Sequence, residues 1–541
     1  MRQHEFAGKP PSPEMLTNIP RLVSSYYTYE PRGPVSFGTS GHRGSSLDGT
    51  FNEAHIAATS QAICEYRKLK NIKGPLFIGF DSHALSEPSF RTALEVFAGN
   101  DVQSVIHSGN EYTPTPVISH LILNHNRENS GGIADGVIIT PSHNPPRDGG
   151  FKYNPPHGGP ADTEVTTWIQ ARANSLMEHG NIEVKREAFE KALKDFTKAQ
   201  DFVAPFVESL SSVINMEAIR SEGIRIGVDP MGGASIHFWG PVAEKFGLNM
   251  EIFHTNSDPT FSFMTVDFDG QIRMDCSSPH AMAGLISMAD KFDIAWGNDT
   301  DADRHGIVCP SGLMNPNDYL SVAIWYLLKN RPQWKKHSMV GKTLVSSSMI
   351  DRVVIGLKRK LYEVPVGFKW FVQGLLNGSL GFGGEESAGA AFLRQDGRTW
   401  TTDKDGFSLS LLAAEIIAIT GRTPAEIYKE ILIPLYEEPY YKRADGPVTE
   451  QQKKILLAIN PVSIEGKSIA GLPIISVMTT APGNNAPING VKILLKDGSW
   501  FAVRPSGTEA KMKVYIESFG GEELWERIYT DAVELIFGNQ V

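Results

Sequence analysis

Short apolar runs recur along the chain, and each closes on polar, turn-forming residues. Leu76-Phe77-Ile78-Gly79-Phe80-Asp81, Ile224-Arg225-Ile226-Gly227-Val228-Asp229 and Thr343-Leu344-Val345-Ser346 open three regions, and runs of this length bounded by turn signals predict buried strands. A helical stretch follows each, then a second strand: Ser104-Val105-Ile106, Met250-Glu251-Ile252-Phe253 and Leu361-Tyr362-Glu363-Val364. Third runs, Val137-Ile138-Ile139, Phe292-Asp293-Ile294-Ala295-Trp296 and Leu380-Gly381-Phe382, end in the loops TPSHNPP, GNDTDADRHG and GGEESAGA.

Strands alternating with helices predict α/β units, and open sheets of this class bind ligands beyond the carboxyl ends of their strands. All three polar loops would sit at such ends. Identity among the regions is weak, so the pattern leaves two accounts open: one unit repeated, or three unrelated domains with similar strand-to-loop transitions. The stretch 163–202, rich in charge and alanine, reads as helices ending the first domain. Beyond Pro434-Leu435-Tyr436-Glu437-Glu438-Pro439 the segments shorten, with strands expected at 491–495 and 511–517 around Arg504-Pro505-Ser506-Gly507-Thr508-Glu509. The expected domains are 1–203, 204–316, 317–438 and a smaller 439–541.

Length agrees: 541 residues exceed the ~250–300 that one core supports. A hydrophobic fraction of 41% and a charged fraction of 21% suit a soluble protein, and no apolar run approaches the ~18–20 residues of a membrane span. The start, MRQHEFAGKPPSPEM, has no apolar signal core, and Cys64, Cys276 and Cys309 show no metal-like spacing, so a cytoplasmic setting is expected. A net charge of -10 argues against nucleic acid as partner. An anionic ligand therefore needs a local positive pocket.

In GNDTDADRHG, Asp299, Asp301 and Asp303 alternate, so their carboxylates can converge on one point and demand a hard cation such as Mg²⁺ or Ca²⁺. A solvated acidic turn is the plain alternative. An EF-hand is excluded, because Arg304 and Pro310 stand where that loop needs Gly and Glu. Ser142 lies outside any Gly-x-Ser-x-Gly elbow, and beside His143 and a cation it suits phosphoryl transfer, with Lys152 as a nearby cation. Arg504, Ser506, Gly507 and Thr508 supply the parts of a phosphate cradle, or merely a hairpin turn. Glu385 and Ser387 can accept from sugar hydroxyls, unless they only begin a helix. Together these point to a phosphosugar.

TPSHNPP, DTDADR, GEESAGA and RPSGTE, in this order over essentially the whole chain, resemble the α-D-phosphohexomutase superfamily and, within it, bacterial-type enzymes acting on glucose phosphates. The resemblance implies three similar α/β domains with mixed sheets, a smaller C-terminal α+β domain and an active site in the central cleft. It implies interconversion of glucose 1-phosphate and glucose 6-phosphate, with Ser142 phosphorylated and glucose 1,6-bisphosphate as intermediate and activator. Asp299, Asp301 and Asp303 would bind Mg²⁺ together with the phosphoryl group on Ser142. Lys152, Arg43 and His143 would stand at the reacting centre. Thr39, Arg304, Gly367, Glu385, Ser387, Lys404 and Arg504, with Ser506, Gly507 and Thr508, would bind the substrate. The related alternatives are a mannose- or glucosamine-type mutase and a non-catalytic phosphosugar- and metal-binding protein, in each case a monomer or homodimer away from membranes. Two departures stand out: Val366 where some relatives carry Thr, and Thr300 and Ala302 where Gly is frequent.

Overall fold

The computed structural model describes residues 3–38, 41–128, 131–464, 466–505 and 511–538. The first sheet contains β1 (His42–Gly44), β2 (Leu76–Phe80), β3 (Ser104–His107), β4 (Asp135–Ile139), β5 (Gly149–Asn154) and β6 (Thr197–Gln200), in the order β1-β5-β4-β2-β3-β6. The second contains β7 (Arg225–Asp229), β8 (Asn249–Ile252), β9 (Ile294–Gly297), β10 (Gly306–Cys309) and β11 (Gly312–Leu313), in the order β11-β10-β9-β7-β8. The third contains β12 (Met339–Thr343), β13 (Leu361–Val364), β14 (Leu380–Glu385) and β15 (Gly389–Phe392), in the order β13-β12-β14-β15.

One pattern runs through all three. β4, β9 and β14 each pair in parallel with the opening strand of their region, which pairs in parallel with the second strand. Each is then followed by an antiparallel partner, β5, β10 or β15. The three regions are therefore one unit used three times. The serine loop, the aspartate loop and the Glu385 hairpin occupy the same place in it, the connection from the third strand to its antiparallel partner. Strands β2, β4 and β9 are buried throughout, which is why they read as unbroken apolar runs rather than alternating ones.

Two local expectations need correction, and two further segments are settled by the sheet. The strand expected at Thr343-Leu344-Val345-Ser346 lies earlier, at Met339–Thr343. Its Gly341 leaves room for the Phe371 ring, and its Lys342 is buried against Asp351 and Glu363, so neither looks like strand core. The stretch read as helical to 202 holds helices Thr163–Glu178 and Phe189–Phe196, but Thr197–Gln200 joins the sheet edge beside β3. The run Gly149–Asn154 is a strand, and its glycines sit where a Cβ would strike Phe51 or the Thr140 carbonyl. Glu385 ends a strand and Ser387 lies in the hairpin turn, so neither begins a helix.

Helix Gly406–Thr420 is apolar on nearly all sides and buried from Gly406 to Ile416, as a helix with no solvent face must be. Its Phe407 ring lies 5.2 Å from Phe206, 5.7 Å from Phe238 and 4.8 Å from Trp239, tying the third region to the second. A Cβ on Gly406 would stand 2.4 Å from the Arg304 carbonyl, and the Gly406 N–H donates to Ala302 O at 2.9 Å. The helix thus starts against the aspartate loop, and the residues just before it are delivered there.

The last region is an antiparallel sheet of β16 (Tyr440–Pro447), β17 (Ser468–Ile469), β18 (Leu472–Thr480), β19 (Pro487–Leu495), β20 (Trp500–Pro505) and β21 (Lys511–Ser518), ordered β16-β21-β20-β19-β18-β17. Helices Glu450–Leu457 and Gly521–Phe537 contribute Leu456, Ile528 and Ala532 to its core. It docks on the third region through Lys492 Nζ, 2.6 Å from Leu344 O and 2.8 Å from Glu363, and Trp500 Nε1, 2.9 Å from Ser348 Oγ. No helix among the described residues is long and apolar enough to cross a membrane.

Candidate active site

Ser142 lies just beyond β4 and is buried, with φ 59°. That left-handed conformation costs a non-glycine residue on the order of 1–3 kcal/mol and persists only where its surroundings impose it. Its Oγ donates to Asp299 Oδ2 at 2.7 Å and lies 3.5 Å from His143 Nδ1. Burial, with Arg304 adding to it, holds His143 well below the usual histidine range, so the ring is neutral at neutral pH.

Asp299, Asp301 and Asp303 are buried, and one oxygen from each lies within 4.8 Å of the others. The loop converges as the alternation predicts, helped by Ala302 at φ 51°, a conformation that makes glycine the natural occupant. Lys152 Nζ donates to Asp301 Oδ2 at 2.7 Å and to Asp303 Oδ2 at 3.4 Å, and Lys404 Nζ lies 2.7 Å from Asp303 Oδ2. Thr115 Oγ1 donates to Asp301 Oδ2 at 2.5 Å, and the Arg304 N–H to Asp299 Oδ1 at 3.0 Å. Asp301 Oδ1 and Asp303 Oδ1 are buried without a hydrogen-bond partner among the described residues. Buried oxygens left unpaired are costly, and hard oxygens clustered at one point fit a divalent cation.

The charges divide unevenly. Burial raises the Asp299 carboxyl well above the ordinary range, and Asp303 and Asp301 push it further. Burial also works against the charge on Asp303, but Lys404, Lys152 and Arg304 outweigh it and hold that carboxyl below the ordinary range. Burial would lower Lys152, yet Asp301 and Asp303 raise it overall. Lys152 is a firmly protonated cation, suited to balancing phosphoryl charge rather than taking a proton.

Arg43 sits on β1 opposite Gly150 of β5, and its Nη1 donates to Asn144 Oδ1 at 3.3 Å in the serine loop. Arg304 Nε lies 3.8 Å from both Asp299 Oδ2 and Asp303 Oδ1. Gly367, at φ 130°, donates its N–H to Glu385 Oε1 at 3.0 Å. Burial lifts the Glu385 carboxyl to about 7 against the pull of Lys404. Ser387 is half-buried in the adjoining turn. Lys404 reaches the cluster because Gly389 has no side chain: a Cβ there would stand 2.3 Å from Lys404 Cδ. Arg504 lies near the end of β20 and lines a small pocket with Val366 and Tyr515. Thr39, Ser506, Gly507 and Thr508 lie outside the described residues.

Sequence reasoning missed several supporting groups. Thr115 reaches Asp301 from another region; Asn154 Nδ2 donates to Asp403 Oδ2 at 2.8 Å beside Lys404; and Asp81 gathers hydroxyls behind Ser142. Only Asp81 carried a signal, as the polar residue closing an apolar strand.

Comparison with known proteins accounts for the whole arrangement. The family descriptions "Phosphoglucomutase/phosphomannomutase, alpha/beta/alpha domain" I, II and III match residues 34–179, 204–312 and 315–434, and the C-terminal domain of the same series matches 448–535. A curated phosphoglucomutase of Komagataeibacter xylinus is 57% identical over 538 residues, covering 98% of this chain and 97% of that one. Phosphoglucomutase 1 of Drosophila melanogaster is 25% identical over 507 residues, covering 86% and 87%. Among solved structures, a putative phosphomannomutase from Thermus thermophilus superposes with TM-score 0.72 at 24% identity, covering 93% of this chain and 99% of that one. The open form of pp63/parafusin from Paramecium gives TM-score 0.72 at 21% identity, covering 94% and 96%. These two structures share the fold.

Proposed function

The chain belongs to the phosphoglucomutase/phosphomannomutase family, and from that membership we infer that it is an isomerase interconverting α-D-glucose 1-phosphate and glucose 6-phosphate. The observation that carries the reading is Ser142 Oγ held 2.7 Å from Asp299 at the edge of the aspartate cluster, a nucleophile and a cation site in one buried place. Ser142 carries the phosphoryl group at rest. The free hydroxyl of the sugar attacks phosphorus, forming the new P–O bond as the bond to Ser142 Oγ breaks, the hydroxyl proton passing to Oγ, and giving glucose 1,6-bisphosphate. The intermediate reorients, Ser142 Oγ attacks the other phosphorus, and the product leaves with the hydroxyl freed at that position.

Asp299, Asp301 and Asp303, beside the phosphoryl group on Ser142, would hold Mg²⁺, which when bound would neutralise charge on the transferring group. Lys152, Arg43 and Arg304 carry the remaining positive charge around that group. The phosphate not reacting is bound by Arg504, Ser506, Gly507 and Thr508, while Glu385, Ser387 and Lys404, with Gly367 and Thr39, bind the rest of the substrate. Three free, buried cysteines fit a cytoplasmic setting.

The test is a coupled assay of purified protein with glucose 1-phosphate, Mg²⁺ and a trace of glucose 1,6-bisphosphate. Formation of glucose 6-phosphate is expected, with kcat/KM above that for mannose 1-phosphate by roughly 5–150-fold, the ~1–3 kcal/mol of one buried polar group left unpaired. Equal efficiency on both sugars would transfer the assignment to a broader hexomutase, and no turnover on either would leave a binding protein.

Glu385 sets a pH limit on this reaction. As a carboxylate it accepts from sugar hydroxyls, and with its carboxyl lifted to about 7 that form is lost as pH falls through neutrality. The expected kcat/KM declines on the acid side of about pH 7. Glu385→Gln, which does not titrate, is expected to give a lower and flatter profile there. An acid limb unchanged by the substitution would assign that titration to another group.

A further inference from the structure

Behind Ser142 lies a set of hydrogen bonds that the reaction as described does not use. The Ser142 N–H donates to Thr140 Oγ1 at 2.8 Å, and the Ser142 carbonyl accepts from Thr300 Oγ1 at 2.7 Å. Both hydroxyls converge on one atom: Thr140 Oγ1 donates to Asp81 Oδ2 at 2.6 Å, and Thr300 Oγ1 lies 2.9 Å from the same oxygen. A carboxylate only accepts, so it fixes the direction of every bond around it. Thr140 must spend its proton on Asp81, which leaves its lone pairs facing the Ser142 amide. Thr300 has one proton and two acceptors, and shares it between Asp81 and the Ser142 carbonyl as a three-centre bond.

Asp81 is itself held rigidly. Its Oδ1 accepts from Ser86 Oγ at 2.6 Å and from the His83 N–H at 3.0 Å. His83 Nδ1 lies 2.9 Å from Asp81 Oδ2, and Nε2 lies 3.0 Å from the Asn144 carbonyl. Both partners are acceptors, so both ring nitrogens donate and the ring is an imidazolium. Phe261 of the second region packs against it, ring centroids 5.1 Å apart. Asp81, His83, Ser86, Thr140, Ser142 and Thr300 are all buried, where such networks are strong when complete and costly when broken.

We propose that Asp81, Thr140 and Thr300 form a clasp that takes both backbone hydrogen-bonding groups of Ser142 and holds this residue in its left-handed conformation, with Oγ aimed at the cation site. This deepens the phosphoserine reading and rests on it. These three are positioning residues, since none touches the reacting atoms. Thr300 stands between Asp299 and Asp301, so it also locks the serine loop to the aspartate loop in register. Glycine at this position, where the resemblance makes it frequent, could not make the contact.

The test uses full-length Thr300→Val, which keeps the side-chain shape but not the hydroxyl, and Thr300→Ser, which keeps the hydroxyl. Thr140→Val and Thr140→Ser ask the same question from the amide side if Thr300→Val does not fold. Single-turnover phosphate uptake from glucose 1,6-bisphosphate is followed by intact mass, alongside kcat and KM for glucose 1-phosphate. Each valine variant is expected to lose roughly 10–100-fold in uptake rate and kcat, the scale of an ångström-sized misplacement, with KM changed by less than about threefold. Each serine variant is expected to recover most of the loss. Folded valine variants that take up phosphate at the wild-type rate, lose only KM, or are not rescued by serine overturn the clasp. If the wild type neither takes up phosphate nor already carries it by intact mass, the phosphoserine reading falls, and the clasp with it.

Discussion

Ser142→Ala is expected to abolish phosphate uptake from glucose 1,6-bisphosphate and to lower kcat by about three orders of magnitude or more, the scale seen when a covalent nucleophile is removed. Alanine can take the place without unfolding the loop, because Ala302 and Ala388 already adopt φ 51° and 67° in this protein. The backbone bonds from Thr140 and Thr300 to residue 142 remain available, since neither uses the Ser142 side chain. What disappears is the Oγ that donates to Asp299. On the proposed reading the sugar is held by the Glu385 hairpin, Lys404 and the Arg504 region, so substrate affinity is expected to stay within a few-fold of wild type. Intact-protein mass and steady-state rates on both proteins decide the matter. A variant that still turns over at a comparable rate would move the nucleophile elsewhere.

How much of this site could be read in advance depended on how local each piece was. The serine loop and the alternating aspartates were legible because their polar residues are packed into one short connection after an apolar strand, where no core role explains them. The same locality made the third strands easy to place. Thr115 was invisible: it reaches Asp301 across 186 positions of chain, and nothing in Thr115-Pro116-Val117 differs from an ordinary helix start. Asn154 and Asp403, joined over 249 positions, were hidden for the same reason. Thr300 was noticed only as a departure where glycine is frequent, and its hydroxyl acquired meaning once Asp81 and Ser142 were seen beside it.

Misplaced strands have equally physical causes. β12 carries Gly341 under the Phe371 ring and Lys342 buried in a pair with Asp351, so hydropathy passes over it and settles on the apolar residues just beyond. β6 is an edge strand with Lys198 and Ala199 exposed, and edge strands are commonly charged because open pairing groups invite aggregation. The threefold repeat could not be decided from the sequence, because parallel strands need only apolar residues and many sequences supply them. Topology retains what residue identity has lost.

Removal of the cation is expected to stop turnover altogether, and Asp301→Asn is expected to do nearly the same while leaving the fold intact. Asp301 Oδ2 accepts from Lys152 Nζ and Thr115 Oγ1, while Oδ1 is buried without a partner among the described residues. An asparagine in that place keeps its carbonyl oxygen toward the two donors and so must turn its NH₂ to where Oδ1 stood. Two N–H groups then point at the spot a cation would occupy, with Asp299 and Asp303 oxygens within 4.8 Å of the aspartate atom being replaced. The substitution removes one of three like charges and supplies donors to the other two, so the metal-free variant is expected to melt no lower than metal-free wild type. Mg²⁺ at about 100-fold above its Kd stabilises a folded protein by ~2.7 kcal/mol, and this gain in Tm is expected for wild type and not for the variant. Its kcat in saturating Mg²⁺ is expected to fall by about 10²-fold or more, the loss that follows when charge stabilisation is taken from a transition state. Melting curves with and without Mg²⁺, beside rates before and after exhaustive chelation, test both halves. Full turnover by protein shown to be metal-free, or an equal Mg²⁺-dependent rise in Tm for Asp301→Asn, would mean that the three aspartates hold the loop together through Lys152, Lys404 and Arg304 alone and that no cation takes part.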